Sequence, residues 1–204
     1  MLGSAATCLS GGFGGVEGRA LRTGDRLSAR GNPDGPIAGA RWPLDTPAEA
    51  RDAPIRILPG PHAARFGRAA LQQLLGTSWI VGGASDRMGL RLDGEPIVGS
   101  DADAAAIVSL PVTWGAVQLP PGGQPIVLLA DHQTVGGYPV IAVVCSADLG
   151  RLGQLVPGAS LRFASTDHDA AVAALRARQR VFEEAAATLH RPDAWDRLVG
   201  SAAG

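Results

Sequence analysis

The stretch Gly115–Val144 reads GAVQLPPGGQPIVLLADHQTVGGYPVIAVV. It contains three apolar runs of strand length, separated by segments rich in proline, glycine and polar side chains. Short apolar runs with turn residues between them indicate a β-barrel or β-sandwich and argue against alternating β-strands and α-helices. The same pattern continues on both sides of the stretch, so the sequence predicts a mainly β protein with a few helices.

Further apolar runs outside this stretch extend the β pattern. They are IRILPG, SWIVGG, MGLRLDG, AAIVSLP and SLRFAS. Residues 61–76 have helical periodicity instead and end at Gly76, a residue type that commonly terminates helices. The segment ADLGRLGQLVPG suggests a short helical turn before the last strand.

A second helix is predicted near the end of the chain, over residues 167–189. Thr166 is followed three residues later by Asp169, which is a variant of the capping box that begins many helices. Side chains at spacings of three and four then form one narrow seam, which we expect to pack on the barrel or on a partner subunit. The residues of this seam are Val172, Leu175, Gln179, Phe182, Ala186 and Leu189.

The first fifty residues differ in composition from the rest of the chain. Residues 1–31 are rich in glycine, and the segment from Asn32 to Pro54 contains five prolines, as connectors often do. A free-standing domain rarely begins with so much loop. We therefore interpret residues 1–50 as the C-terminal remnant of a first subdomain with a linker, residues 51–166 as the barrel, and residues 167–204 as a C-terminal helical tail.

The charged residues exclude several kinds of chemistry. The 204 residues have a net charge of -1, whereas proteins that bind nucleic acid usually carry a basic face. All 18 positively charged side chains are arginine. A Walker-type phosphate loop, a Schiff base and covalently attached biotin all need a lysine, so this chain can form none of them.

Cysteine and histidine show no metal-binding spacing in the sequence. Cys8 and Cys145 lie far apart, and Cys145 ends an apolar run, so we interpret it as a core residue. The four histidines are scattered along the chain. No apolar run approaches the ~20 residues of a membrane-spanning helix, and no secretory signal begins the chain. We expect a soluble, cytoplasmic protein without a metal site.

Three polar islands interrupt the predicted strands, and polar residues at strand ends can gather at one rim of a barrel. In the first island, SDRMGLRL, Arg87 and Arg91 would share one face of a strand. Two guanidiniums on one face suit a carboxylate or phosphate, and Asp86 could hold one of them in place. An ordinary surface ion pair explains the same spacing.

The second island, GAVQLPPGGQP, contains Gln118 and Gln124. Each side chain offers a donor and an acceptor, which could recognise an amide or a carbonyl. A plain hairpin explains the proline and glycine residues equally well.

In the third island, DHQTVGGYP, Gly136 and Gly137 permit positive φ and close approach of the backbone to a ligand. Asp131 or His132 could then transfer a proton. The alternative interpretation is a polar hairpin that turns at the two glycines.

Five ordered segments together resemble one family, the carboxyltransferase domain with subdomains A and B, also called allophanate hydrolase subunit 2. They are LGSAAT…GGFGGVEGRALRTGDRL, IRILPGP, SDRMGLRLDG, the stretch Gly115–Val144 and ADLGRLGQLVPG. The resemblance extends from Leu2 to about Phe163 and implies a cyclophilin-like β-barrel. Members of the family usually have a portion before the LGS segment, so we expect an N-terminally truncated member.

The resemblance also implies site residues. The family pattern R-M-G-x-R-L matches residues 87–92, and T-G-G-Y-P matches residues 135–139, with Val135 in place of the threonine. On this basis Arg87, Asp131 and Tyr138 are the candidate catalytic residues. The candidates for binding substrate or nucleotide are Arg91, Gln118, Gln133, Gly136 and Gly137.

What the family does supplies the functional expectations. Its 5-oxoprolinase members act in a complex with subunits A and B, which uses ATP to open 5-oxoproline, a small-molecule substrate, to glutamate. Other members are carboxyltransferases, and since this chain lacks lysine, biotin would have to arrive on another protein. A third possibility is a regulatory module that binds its sister subunit without chemistry of its own. We expect the first of these functions.

Overall fold

The computed structural model describes residues 5–9, 11–28, 53–99 and 107–188. The chain divides into two compact units, which are described separately. The smaller unit comprises Met1–Ala40 and Arg191–Gly204, and the larger unit comprises Arg41–His190. Most of the predicted linker, residues 32–52, lies outside the described residues, and the predicted domain boundaries stay predictions.

The described elements are mostly short strands. Those of the smaller unit are β1 (Thr7–Cys8) and β2 (Phe13–Gly14). Those of the larger unit are β3 (Ile55–Pro59), β4 (Trp79–Val81), β5 (Gly89–Asp93), β6 (Leu110–Pro111), β7 (Ala116–Gln118), β8 (Ile126–Leu128), β9 (Val135–Gly136), β10 (Val140–Val144), β11 (Ser160–Leu161) and β12 (Phe163–Ser165). The helices are α1 (Ala63–Gly76), α2 (Leu149–Leu152) and α3 (His168–Thr188), and a 3-10 turn spans Ser146–Asp148.

Eight strands of the larger unit form one sheet that curls back on itself. Their order is β11-β4-β5-β8-β7-β10-β3-β12, and all neighbours are antiparallel except β12 and β3. The two edge strands, β11 and β12, are separated in the chain by Arg162 alone. The Arg162 carbonyl accepts a hydrogen bond of 2.7 Å from the Ile55 amide of β3. The sheet therefore closes into a barrel, and the predicted mainly β class is confirmed.

The barrel interior is filled by the alternate residues that the strand pattern predicts. In β3, Ile55 and Ile57 are buried while Arg56 between them is half-buried. Such alternation is expected when one face of a strand packs on the core. The predicted helix 61–76 is confirmed as α1, which buries Phe66 and Leu74 against this core.

A non-helical residue interrupts α1. Gly67 has φ of 76°, a left-handed conformation that glycine adopts without steric cost. Below the helix, the indole of Trp79 is fully buried and donates a 3.0 Å hydrogen bond to the Leu74 carbonyl. This bond satisfies the one polar atom of the largest side chain in the core.

The segment between β8 and β10 is a crossover and not a hairpin. Strand β7 lies between the two strands and pairs with both, through Gln118 opposite Ile126 on one side and Val140 on the other. The crossover forms its own two-stranded sheet, in which Val135 of β9 lies opposite Pro111 of β6. The hairpin interpretation of DHQTVGGYP is therefore wrong, because sequence neighbours here are not sheet neighbours. The loop between β7 and β8 is a true hairpin.

The long helix begins as predicted but is capped by a different residue. The Asp167 carboxylate accepts a 2.8 Å hydrogen bond from the Ala170 amide. Asp167 thus satisfies one of the free amides of the first turn, where the sequence pattern predicted Thr166. None of the described helices is long and apolar enough to cross a membrane.

The predicted apolar seam of α3 is not its packed face. The helix contacts the 3-10 turn, where Cys145 donates a long hydrogen bond of 3.7 Å to the Ala171 carbonyl and Arg178 donates one of 3.4 Å to the Ser146 carbonyl. Leu175 and Phe182 of the predicted seam are exposed, and Leu189 lies outside the described residues. Small side chains beside the turn allow close approach of the helix, which periodicity of large residues does not reveal.

A buried aspartate joins the barrel to the 3-10 turn. Asp148 is 2% exposed. Its carboxylate accepts hydrogen bonds from the Arg56 guanidinium at 2.7 and 2.9 Å and from the Arg56 amide at 2.9 Å. Burial opposes ionisation of Asp148, but the hydrogen bonds from Arg56 outweigh burial and leave the pKa of the carboxyl below its ordinary value.

A second arginine–aspartate pair organises the smaller unit. Arg19 donates to both carboxylate oxygens of Asp25 at 2.8 and 2.9 Å, and the Arg22 amide adds a bond of 2.7 Å. These hydrogen bonds lower the pKa of Asp25 to about 2. Gly14, in β2, has φ of 79°, and a Cβ there would lie 2.5 Å from the Ala6 carbonyl oxygen. The loop can pass this close only with glycine.

We predict that Asp148→Asn lowers the free energy of unfolding by about 2–3 kcal/mol, because the guanidinium of Arg56 loses its charged, bidentate acceptor. Urea denaturation followed by circular dichroism measures this change. The matched control is Asp169→Asn, an exposed aspartate of α3, for which we expect a change within about 0.5 kcal/mol. Equal stability of the two variants would contradict the interpretation.

The same residue predicts a pH dependence of stability. Because the pKa of Asp148 is lower in the folded protein, its contribution is fully present above the ordinary aspartate pKa of about 3.9 and is lost as the pH falls through the folded-state value. The difference in unfolding free energy between the unmodified protein and Asp148→Asn should therefore be constant from pH 5 to pH 7, a range about one to three units above that ordinary value, and should shrink below pH 4. A difference independent of pH down to 2.5 would show that the charge is not its source.

Candidate functional site

Two of the three polar islands meet through Arg87 and Asp131. The Arg87 Nε lies 3.1 Å from Asp131 Oδ2, and its Nη2 donates to Oδ1 at 3.1 Å. The Asp131 amide also donates to the Arg87 carbonyl at 3.0 Å. The two side chains are 83% and 48% exposed, so the pair contributes at most about 1 kcal/mol to stability. A carboxylate ligand could therefore replace Asp131 at little cost.

The remaining polar residues of the first island shape the loop before β5. Asp86 accepts hydrogen bonds from the Met88 and Gly89 amides at 2.8 and 3.2 Å. It caps this turn and, contrary to expectation, holds neither arginine. Arg91 lies within β5 and its amide donates to Ser85 Oγ at 3.0 Å.

The shared strand face predicted for Arg87 and Arg91 is wrong in this geometry. Arg87 precedes β5, which begins at Gly89, so strand alternation does not apply to it. Arg87 lines a cavity that Arg91 does not reach. The first island therefore presents one guanidinium to the site and not two.

The cavity beside Arg87 has a volume of about 370 Å³, which is within the range of small-molecule sites. Most of its wall is apolar, and the polar side chains come from the loop before β5. The apolar residues are Leu90, Trp114, Leu129, Ala130, Leu152, Leu155 and Pro157, the polar residues are Ser85, Asp86 and Arg87, and Gly153 completes the lining. The arrangement suits a compact apolar group that bears one anionic substituent.

Trp114 is the main lining residue that sequence reasoning missed. It lies just before β7 and remains partly exposed. An aromatic residue next to a strand ordinarily belongs to the core, as Trp79 does here. Its position directly before the second polar island was the available signal.

The second island contributes a buried amide rather than a ligand contact. Gln118 of β7 is 1% exposed. Its Nε2 donates to the Tyr138 carbonyl at 3.4 Å, and its Oε1 accepts from Gln133 Nε2 at 3.5 Å. Both partners lie on the crossover, so Gln118 holds that segment over the end of β7.

Gly136 is required by close packing and not by its backbone angles. Neither Gly136 nor Gly137 has the positive φ that the sequence interpretation expected. A Cβ on Gly136 would lie 2.6 Å from Gln118 Nε2, whereas one on Gly137 would meet Ser109 Oγ at an ordinary 3.4 Å. The close approach that glycine permits is therefore made to a buried side chain of the protein itself.

Val135 and Tyr138 flank the two glycines and are both exposed. Val135 stands where the family pattern has threonine, so this chain presents an apolar side chain at that position. Tyr138 presents its ring at the surface while its carbonyl receives Gln118.

The structure favours one proton acceptor on the crossover. His132 Nδ1 lies 2.5 Å from the Gln133 carbonyl oxygen. A carbonyl can only accept, so Nδ1 carries the proton and Nε2 is left as the basic nitrogen. Asp131 is engaged by Arg87, which leaves the two residues suited to different tasks.

The eight predicted site residues thus form two groups. Arg87 and Asp131 form the pair at the apolar cavity, while Gln118, Gln133, Gly136, Gly137 and Tyr138 form the crossover. Arg91 belongs to neither group.

Comparison with known proteins identifies the fold family. The family profile described as "Carboxyltransferase domain, subdomain A and B" matches residues 1–165 of this chain. The chain belongs to this carboxyltransferase domain family. The resemblance expected from the five ordered segments is confirmed.

Curated relatives within the family are components of one enzyme. The chain is 38% identical over 197 residues to the C subunit of 5-oxoprolinase from Escherichia coli (strain K12), covering 93% of this chain and 59% of that protein. It is 37% identical over 181 residues to the C subunit of 5-oxoprolinase from Haemophilus influenzae (strain ATCC 51907 / DSM 11121 / KW20 / Rd), covering 89% and 56%. The chain therefore spans somewhat more than half the length of these relatives.

A solved structure of the carboxyltransferase domain family confirms the architecture. The urea amidolyase of K. lactis superposes with a TM-score of 0.74 and 27% sequence identity, over 90% of this chain and 12% of that protein. This family member is a much larger protein, so the agreement concerns the fold and not the activity of the whole enzyme.

We predict that Gly136→Ala destabilises the protein by about 1–3 kcal/mol, because the added methyl group overlaps the Gln118 side chain in a filled interior. Thermal unfolding measures the change. Gly137→Ala is the matched control, since its added Cβ meets only ordinary contact, and its midpoint should remain near that of the unmodified protein. If both substitutions have the same effect, the packing of Gln118 on Gly136 is not what requires glycine.

Proposed function

We propose that this chain is a subunit, or part of a subunit, of an ATP-dependent 5-oxoprolinase, which hydrolyses 5-oxo-L-proline to L-glutamate together with sister subunits A and B. The observation that supports this most strongly is the 38% identity to the C subunit of E. coli 5-oxoprolinase over 93% of the chain. The ATP-dependent metabolism of a free amino acid fits a complex located in the cytoplasm.

The cavity suits the proposed substrate. 5-Oxoproline is a five-membered lactam with one carboxylate, and the cavity combines apolar walls with one guanidinium. The ring would lie among Leu90, Trp114 and Leu129. Its carboxylate would take the place of Asp131 on Arg87, which an exposed ion pair permits.

Hydrolysis of the lactam forms a bond between water oxygen and the ring carbonyl carbon and breaks the ring carbon–nitrogen bond. The attacking water must lose a proton, and the leaving nitrogen must gain one. His132 Nε2, whose ring is oriented by the Gln133 carbonyl, is the group of the crossover best suited to accept this proton. Asp131, once released from Arg87, is the other candidate.

ATP does not fit the cavity described above. A triphosphate needs several cationic or amide donors, whereas this lining supplies one guanidinium beside the Asp86 carboxylate. The chain has no lysine for a Walker-type loop. We therefore assign ATP binding to a sister subunit and derive no step through ATP from this chain.

Carboxyl transfer to urea or another amide is the second candidate function. The superposition on K. lactis urea amidolyase over 90% of this chain favours it. Because this chain has no lysine, biotin would have to be delivered on a separate carrier protein. The cavity could then receive an amide substrate without a carboxylate, and Arg87 would remain paired with Asp131.

The experiment combines this chain with candidate A and B subunits and measures glutamate released from 5-oxoproline in the presence of ATP. The E. coli relative with its own partner subunits is the positive control. Release above background supports the proposal. A stable complex without glutamate release favours a regulatory binding partner, and carboxylation of urea with a biotinylated carrier favours the second candidate; both results would overturn the first.

Within that assay we predict that Arg87→Gln lowers kcat/KM for 5-oxoproline about 10–100-fold, which corresponds to the loss of one charge-assisted hydrogen bond of about 1.5–3 kcal/mol. Arg68→Gln is the matched control, because Arg68 is an exposed arginine of α1 that does not line the cavity. It should retain activity within about twofold, a difference of about 0.4 kcal/mol. An active Arg87→Gln variant would remove this cavity from the site.

A further inference from the structure

A second cavity lies where the two edges of the barrel sheet meet. It has a volume of about 180 Å³. Arg162, the residue between β11 and β12, lines it together with Arg151 of α2, and Ser78 and Ser160 contribute hydroxyl groups. This cavity is independent of the proposed function and has none of the predicted site residues in its lining.

The lining of this cavity carries two positive charges. No carboxylate is present among the described residues that line it. Asp148 approaches Arg151 Nη1 to 3.7 Å, but it already accepts three hydrogen bonds from Arg56. Arg162 is exposed and forms no ion pair within the described part of the chain.

Arg151 is held in a defined position before any ligand arrives. Its Nη1 donates to the Pro54 carbonyl at 3.3 Å, and its guanidinium also donates to the Ala53 carbonyl. These bonds fix one wall of the cavity, so less conformational entropy is lost when an anion binds. Serine hydroxyls add donors of the kind that complete an oxyanion site.

We propose that this cavity binds an oxyanion of the phosphate class. Two arginines and two hydroxyls offer more donors than one carboxylate can use, and the size of the cavity admits a single phosphate group rather than a whole nucleotide. The phosphate can be free inorganic phosphate or the terminal group of a nucleotide whose remainder lies outside.

The site also touches the first cavity. Leu155 lines both cavities, and the segment that carries Arg151 and Leu155 forms a wall between them. An anion held at Arg151 and Arg162 would therefore order a wall of the candidate functional site.

Isothermal titration calorimetry of the full chain tests this proposal, with inorganic phosphate and ATP as separate titrants and sodium chloride holding the ionic strength constant. We expect saturable binding of one phosphate per chain. Arg162→Gln should weaken it about tenfold or more, the effect of losing one charge-assisted hydrogen bond. Arg162→Lys, which keeps the charge but loses the planar fork, should fall between the two.

Arg68→Gln is the matched control and should bind phosphate as the unmodified protein does. The urea midpoints of all variants, measured without phosphate, show whether each is folded. Binding of inorganic phosphate alone identifies free phosphate as the ligand, and binding of ATP that depends on Arg162 identifies a nucleotide. Absence of saturable binding of either titrant, or binding that Arg162→Gln leaves unchanged, would overturn the proposal.

Discussion

Closure of the sheet at Arg162 is the constraint on which the larger unit depends. Strands β11 and β12 are consecutive in the chain, yet they occupy opposite edges of the eight-stranded sheet. One residue cannot span a flat sheet of that width, so the sheet must curl until its edges meet. Closure removes the exposed edges that would otherwise pair with other chains, and it encloses the core around Trp79 and Ile57.

The closed barrel explains why polar residues far apart in the chain become neighbours. The loop before β5 and the end of β8 lie side by side because these strands pair, with Gly89 opposite Leu128. Arg87 and Asp131 are therefore brought together by strand register, and the apolar wall of the cavity comes from the same strands and from α2. The resulting pair is exposed and weak, which suits a site that must exchange an internal carboxylate for one on a ligand.

Buried polar groups elsewhere have the opposite character. Asp148 and Gln118 are almost fully buried, and each is satisfied by partners from segments distant in sequence. An unsatisfied polar group in such a position is costly, so each contact specifies one arrangement of the chain. Asp148 fixes the 3-10 turn against β3, and Gln118 fixes the crossover over β7. The structure thus separates residues that hold the fold from residues that are available to a ligand.

The sequence by itself determined the mainly β class, helix α1 and its buried face, the absence of lysine chemistry and membership in the carboxyltransferase domain family. These properties follow from local periodicity, composition and ordered motifs, which each residue expresses regardless of its distant neighbours. The tertiary structure alone decided that DHQTVGGYP is a crossover, that Arg91 lies away from Arg87, that Gly136 accommodates Gln118, and that Trp114 lines a cavity. The reason is physical: strand pairing and side-chain contacts across the barrel join residues far apart in the chain, and no local pattern records which strands become neighbours.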